Sequence, residues 1–115
     1  MVDKFAHVFP AMVTPIGEDG SFRYDVAKKH AKWMIDQGIG VLMAAGEYQS
    51  ITLEQHKAYC NEMIPYIKSL GASVIVGCSR ERVADVVELM ENARLAGADA
   101  AMVLPSFYYH PDQYE

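Results

Sequence analysis

The sequence predicts an α/β fold of parallel strands, and three observations carry that expectation. Apolar runs of strand length begin near residues 8, 41, 73 and 98, a recurrence suited to βαβ units of about 30 residues each. Stretches with helical spacing of apolar residues lie between these runs. The last run, residues 98–104, is interrupted only by Asp99 and punctuated by Gly97 and Pro105. A near-continuous apolar run of that kind suits a strand covered on both faces, as parallel strands are.

The first strand is expected over residues 8–14, with Pro10 placing its true start at about Ala11, because proline cannot donate to a ladder. Pro15 ends it, and Asp19-Gly20 marks a turn. Residues 25–37 predict a helix with Val26, Ala27, His30, Trp33 and Met34 on one face. Gly38 stops it where a left-handed residue is wanted. Residues 41–45 predict the second strand. Thr52 with Gln55 then forms a capping box that opens a helix to about Ser69, with a kink or break expected at Pro65. Residues 74–77 predict the third strand. Val83, Val86, Val87 and Met90 follow at i, i+3, i+4, i+7 spacing, an amphipathic helix ending before Gly97. After the fourth strand comes the aromatic loop Phe107-Tyr108-Tyr109. Asp112 to Glu115 then reads as a second capping box, opening a helix that is only begun.

With 51% hydrophobic residues in 115, the chain holds enough for one real core and shows no internal domain boundary. A net charge of -5 and the lack of any Lys/Arg run argue against a nucleic-acid footprint. No apolar stretch approaches the ~18 residues of a membrane span, and the N-terminus lacks the apolar run of a signal peptide. Cys60 and Cys78 make no disulfide framework, so a soluble, reducing compartment is expected. Periodicity leaves two architectures open: a flavodoxin-like doubly wound sheet, or the first half of an eight-fold βα barrel. In either, chemistry is expected in the loops beyond the carboxyl ends of the strands.

Particular residues separate the two. Phe9-Pro10-Ala11-Met12-Val13-Thr14-Pro15 followed by Glu18-Asp19-Gly20-Ser21, then Gly46-Glu47-Tyr48-Gln49-Ser50-Ile51-Thr52 with Glu54, resemble the dihydrodipicolinate synthase / N-acetylneuraminate lyase family. Val74-Ile75-Val76-Gly77, Ala96-Gly97-Ala98-Asp99-Ala100 and Phe107-Tyr108-Tyr109-His110-Pro111 with Gln113 continue the resemblance in order over essentially the whole chain. It implies a (β/α)8 TIM barrel, of which residues 1–115 would be the first four βα units, ending before strand five. It also implies reversible carbon–carbon chemistry on pyruvate or another 2-oxo acid, held as a Schiff base on a lysine. The enzyme would be cytoplasmic and homo-oligomeric, tetrameric as most members are, with no metal and no cofactor.

The family holds the 2-oxo acid carboxylate with a Thr or Ser pair before Gly-Glu, reading Gly-Thr-Thr-Gly-Glu or Gly-Ser-Asn-Gly-Glu. Here Met43 is followed by Ala44, Ala45, Gly46 and Glu47, so the hydroxyls are deleted or substituted, and backbone N–H groups of Ala45 and Gly46 are the remaining donors. Glu47 is expected to order its loop by accepting backbone hydrogen bonds rather than to act as a base. Tyr108 matches the family tyrosine that completes a neighbouring subunit's proton relay, or else joins an aromatic cluster with Phe107 and Tyr109. The imine-forming lysine belongs to strand six, and none of Lys4, Lys28, Lys29, Lys32, Lys57 and Lys68 falls at a strand's carboxyl end. The chain alone is therefore expected to be inactive. A non-catalytic half-barrel needing a partner chain is the rival.

His7, His30, His56 and His110 show no paired metal-ligand spacing. Arg80 and Arg82 either meet an anionic substrate or form a solvated helix start.

Overall fold

A computed structural model describes residues 5–43 and 50–108. Helix α1 (Tyr24–Asp36), strand β1 (Val41–Met43), helix α2 (Leu53–Ser69), strand β2 (Val74–Gly77), helix α3 (Val83–Ala96) and strand β3 (Ala100–Met102) alternate along it. The strands form one parallel sheet in the order β1-β2-β3, with Leu42 opposite Ile75 and Ile75 opposite Ala100. This order removes the doubly wound alternative. A flavodoxin-like sheet places its first strand between the second and third, whereas here the expected second and third strands, β1 and β2, pair directly.

The core lies between the helices and one sheet face. Val41, Met43, Val74 and Val76 point into it, meeting Ala27, Ala31 and Met34 of α1, Tyr59, Cys60, Met63, Ile64 and Ile67 of α2, and Leu89 and Ala93 of α3. Helix α2 carries the capping box read from its sequence: Thr52 Oγ1 accepts the Gln55 N–H, and Gln55 Oε1 accepts the Thr52 N–H. It runs through Pro65 without a break, contrary to one of the two outcomes expected there. Gly97 ends α3 in the left-handed region at φ 108°, where a side chain would be strained. Gly40 is required for a different reason: a Cβ there would meet the Phe9 ring at 2.8 Å.

Four expectations need correction. Residues 8–14 form no strand, and only Ala11 holds a bridge. They keep a strand's alternation, Met12 and Thr14 being buried while Val13 is exposed, but Pro10 supplies no N–H for a ladder. On α1, Val26 (41% exposed) and Trp33 (59%) do not share the core face with Ala27 and Met34. The rings of Trp33 and His30 stack there, 6.2 Å between their centres. On α3, the stripe read as the buried face is largely outward: Val83, Val87 and Met90 are exposed, and the core is met by Leu89 and Ala93. That flank borders a groove of about 360 Å³ along β3. Nor is β3 covered on both faces among the described residues: Met102, Val103 and Leu104 are all exposed.

Asp99, the polar break in the last apolar run, closes the amino end of the sheet. Its Oδ2 accepts the Val74 N–H at 2.8 Å and the Lys68 ammonium at 2.8 Å, while its own N–H donates to the Val74 carbonyl. Among the described residues, no helix is long and apolar enough to cross a membrane.

Candidate functional site

At the carboxyl ends of the strands, residues 78–81 after β2 organise what surrounds them. Cys78 extends the ladder by donating its N–H to the Met102 carbonyl at 3.0 Å. The next side chain, Ser79, is buried, and its Oγ accepts the Leu104 N–H at 2.8 Å. Glu81 Oε1 accepts two successive N–H groups, from Phe107 at 2.9 Å and Tyr108 at 3.2 Å. In the other direction, Arg80 donates from Nη2 to the Ile51 carbonyl at 2.6 Å, just before α2. One short segment thus holds both the aromatic loop after β3 and the chain entering α2.

His56 and Cys60 of α2 are buried together with Cys78, the first residue of this segment. His56 is fully buried and faces the Gly77 carbonyl through Nε2 at 2.8 Å, with its Nδ1 3.6 Å from Cys60 Sγ. Burial pushes the imidazole below its ordinary range; the Gly77 bond opposes this and the nearby Arg80 charge adds to it. The ring is therefore neutral, with Nε2–H donating to Gly77 and Nδ1 accepting from the Cys60 thiol. Both cysteines are free and buried, and burial raises Cys60 to about 12 and Cys78 to about 11. Tyr59 packs between Phe22 and Tyr24, at 5.0 and 6.0 Å between ring centres, and burial raises its phenol to about 12.

The expected carboxylate loop, Ala44, Ala45, Gly46 and Glu47, lies outside the described residues, as do Lys4, Tyr109 and His110. Tyr108 is described: its backbone is tethered by Glu81, and the residue is 75% exposed. Phe107 beside it is also exposed, so the aromatic loop is not packed into the core. The two arginines part company. Arg82 makes an exposed ion pair with Asp85 at 2.6 Å, the solvated helix start, whereas Arg80 is half-buried.

The described lysines lie on helices and are mostly engaged. Lys28 pairs with Glu62, Lys32 with Asp36, Lys57 with Glu88 and Glu54, and Lys68 with Asp99. Hydrogen bonds to their carboxylates hold Lys32 and Lys57 above the ordinary lysine range, the reverse of what imine formation requires. Among the described residues, no three His, Cys, Asp or Glu side chains are placed to hold a metal ion.

The sequence reading missed Ser79 and Glu81. The available signal was a Ser-Arg-Glu run directly after a strand, at the end where α/β sites form.

Consecutive parallel strands, with helices on one face and tied loops at the carboxyl ends, make this an α/β protein wound in sequence order. The chain belongs to the dihydrodipicolinate synthetase family, whose sequence signature matches residues 4–115. It is 31% identical over 113 residues to the 4-hydroxy-tetrahydrodipicolinate synthase of Bifidobacterium longum, covering 95% of this chain and 36% of that protein. Dihydrodipicolinate synthase from Aquifex aeolicus superimposes with a TM-score of 0.85 at 25% identity, over 96% of this chain and 38% of the other. The chloride-inhibited dihydrodipicolinate synthase of Acinetobacter baumannii, solved in complex with pyruvate, superimposes with a TM-score of 0.84 at 27% identity, over 94% and 38%. The chain thus spans little more than a third of the length of these relatives.

Proposed function

We propose that residues 1–115 supply the first four βα units of a (β/α)8 aldolase/lyase that acts on pyruvate or another 2-oxo acid through a Schiff base. The observation that supports this best is the tied cluster of loops at the carboxyl ends of β2 and β3, in a chain whose fold matches a synthase solved with pyruvate. In this reading the loop of Ala44, Ala45, Gly46 and Glu47 receives the carboxylate through backbone N–H groups, and Glu47 orders that loop. Tyr108 serves as a proton relay toward a neighbouring subunit of a homo-oligomer. Its exposure and backbone tether suit an outward role. The imine-forming lysine is none of the six in these residues, so the 115-residue chain is inactive alone. The enzyme works in the cytoplasm and needs no metal or diffusible cofactor, as the family resemblance implies.

Trapping tests this. After treatment with pyruvate and borohydride, the 115-residue chain should keep its mass. A fusion of these residues to the C-terminal remainder of the Bifidobacterium longum relative should gain one reduced-pyruvate adduct, on a lysine of that remainder. An adduct on Lys28, Lys57 or any other lysine of this chain would overturn the assignment of the nucleophile. A fusion that melts cooperatively yet traps nothing would overturn the aldolase reading.

A further inference from the structure

Of the four arginines, three pair with carboxylates on the surface: Arg23 with Asp25, Arg82 with Asp85, and Arg94 with Glu91. Arg80 has no carboxylate partner among the described residues, and it is the arginine set into the mouth formed by the strand ends. Its Nε is fully enclosed without an acceptor, and its Nη2 is given to the Ile51 carbonyl. Nη1 remains for a ligand.

A half-buried cation without a paired counter-charge is costly, because it loses part of its hydration with no carboxylate to offset the loss. His56 beneath it is neutral, and the Glu81 carboxylate beside it directs Oε1 to the Phe107 and Tyr108 N–H groups. The Ile51 bond fixes the guanidinium in place, so little side-chain freedom is left to lose when an anion arrives. In the sequence, the hydroxyl pair expected after β1 is lacking, Ala44 and Ala45 standing there.

We propose that Arg80 is the anchor for the carboxylate of the 2-oxo acid, its guanidinium standing in for the absent hydroxyls. This deepens the aldolase reading and rests on it. A guanidinium suits that role because it is permanently charged, and Nη1 can donate a charge-assisted hydrogen bond to one carboxylate oxygen. It would also make the site choose anions over neutral 2-oxo compounds more strongly than backbone amides alone.

The decisive measurement compares pyruvate with its neutral amide, pyruvamide, by following the backbone amide resonances of Ile51, Gly77 and Glu81 in the 115-residue chain. Pyruvate should bind roughly tenfold to a hundredfold more tightly than pyruvamide, the range of one charged hydrogen bond. Arg80→Gln should bring that ratio close to one, and Arg80→Lys should restore part of it. A purely structural arginine would weaken both ligands alike and leave the ratio unchanged. That outcome, or no preference for pyruvate in the parent chain, overturns the proposal. Trapping in the fusion is separate: if it fails, the aldolase reading falls, while the ratio still decides whether Arg80 binds the carboxylate.

Discussion

His56 donates its Nε2–H to the carbonyl oxygen of Gly77 across 2.8 Å, pinning the first turn of α2 to the last residue of β2. The bond needs a neutral ring if Nδ1 is also to accept from Cys60, and burial favours that form. Unfolded histidine titrates near 6.5, and the native pKa lies below it. Between the two values the unfolded chain binds the extra proton. His56 therefore contributes stability above about pH 6.5, and that contribution is lost as the pH falls toward the native value. Urea midpoints at pH 7.5 and pH 5 should differ more in the parent chain than in His56→Gln. An equal pH dependence would mean that the ring titrates alike in the native and unfolded chains.

Asp99 should be costly to remove, because its carboxylate is 10% exposed and serves two donors. Asp99→Ala leaves the Val74 N–H without its acceptor and should destabilise by about 1–3 kcal/mol. Asp99→Asn keeps an oxygen for Val74 and should cost less. Denaturant midpoints would show that order, and equal losses would place the stabilisation in the Lys68 ion pair instead.

Glu81 is a positioning residue whose effect should be local. In Glu81→Ala, the Phe107 and Tyr108 amides should exchange hydrogen roughly tenfold faster or more, the loss of about 1.4 kcal/mol of protection. Val76 in the sheet should be unaffected. Glu81→Gln, which retains one acceptor oxygen, should recover part of the protection. Faster exchange at Val76 as well would make Glu81 a general support of the fold.

Gly40→Ala should destabilise by about 1–3 kcal/mol, since overpacking displaces side chains and a methyl group would meet the Phe9 ring at 2.8 Å. Phe9→Leu should relieve most of that loss. If the double variant is no better than Gly40→Ala alone, the Phe9 contact is not the cause.

Cys60 and Cys78 should resist alkylation in the native chain at pH 8, because their thiols are held at about 12 and about 11 and enclosed. Iodoacetamide labelling followed by mass measurement should go to completion only in denaturant. Rapid labelling without denaturant would mean that α2 opens readily from the sheet.

The parts of the fold legible in the sequence were those with a local physical cause. The Thr52 capping box, the apolar run of β2 and the glycine stop after α3 each depend on residues adjacent in the chain. Faces were read less well. Val83, Val87 and Met90 have the spacing of a buried stripe, yet α3 meets the sheet through Leu89 and Ala93. Periodicity reports that a helix is amphipathic, while its neighbours decide which flank is enclosed. Tyr108 and Arg80 could be singled out from position after a strand. Ser79 and Glu81 shared that positional signal, but their role is defined by bonds to N–H groups 25 to 27 residues away, which position alone does not disclose.

Pairing in sequence order also bears on how the chain assembles as it emerges from a ribosome. Each of β2 and β3 finds its neighbour in the sheet already synthesised. Contacts between successive units keep the loops to be closed short, which favours rapid folding. Growth can then proceed from the N-terminal side, with each new βα unit laid against the previous one. The Lys68–Asp99–Val74 junction fastens the start of β3 to α2 and β2, so the newly laid unit is tied by side chains as well as by its ladder.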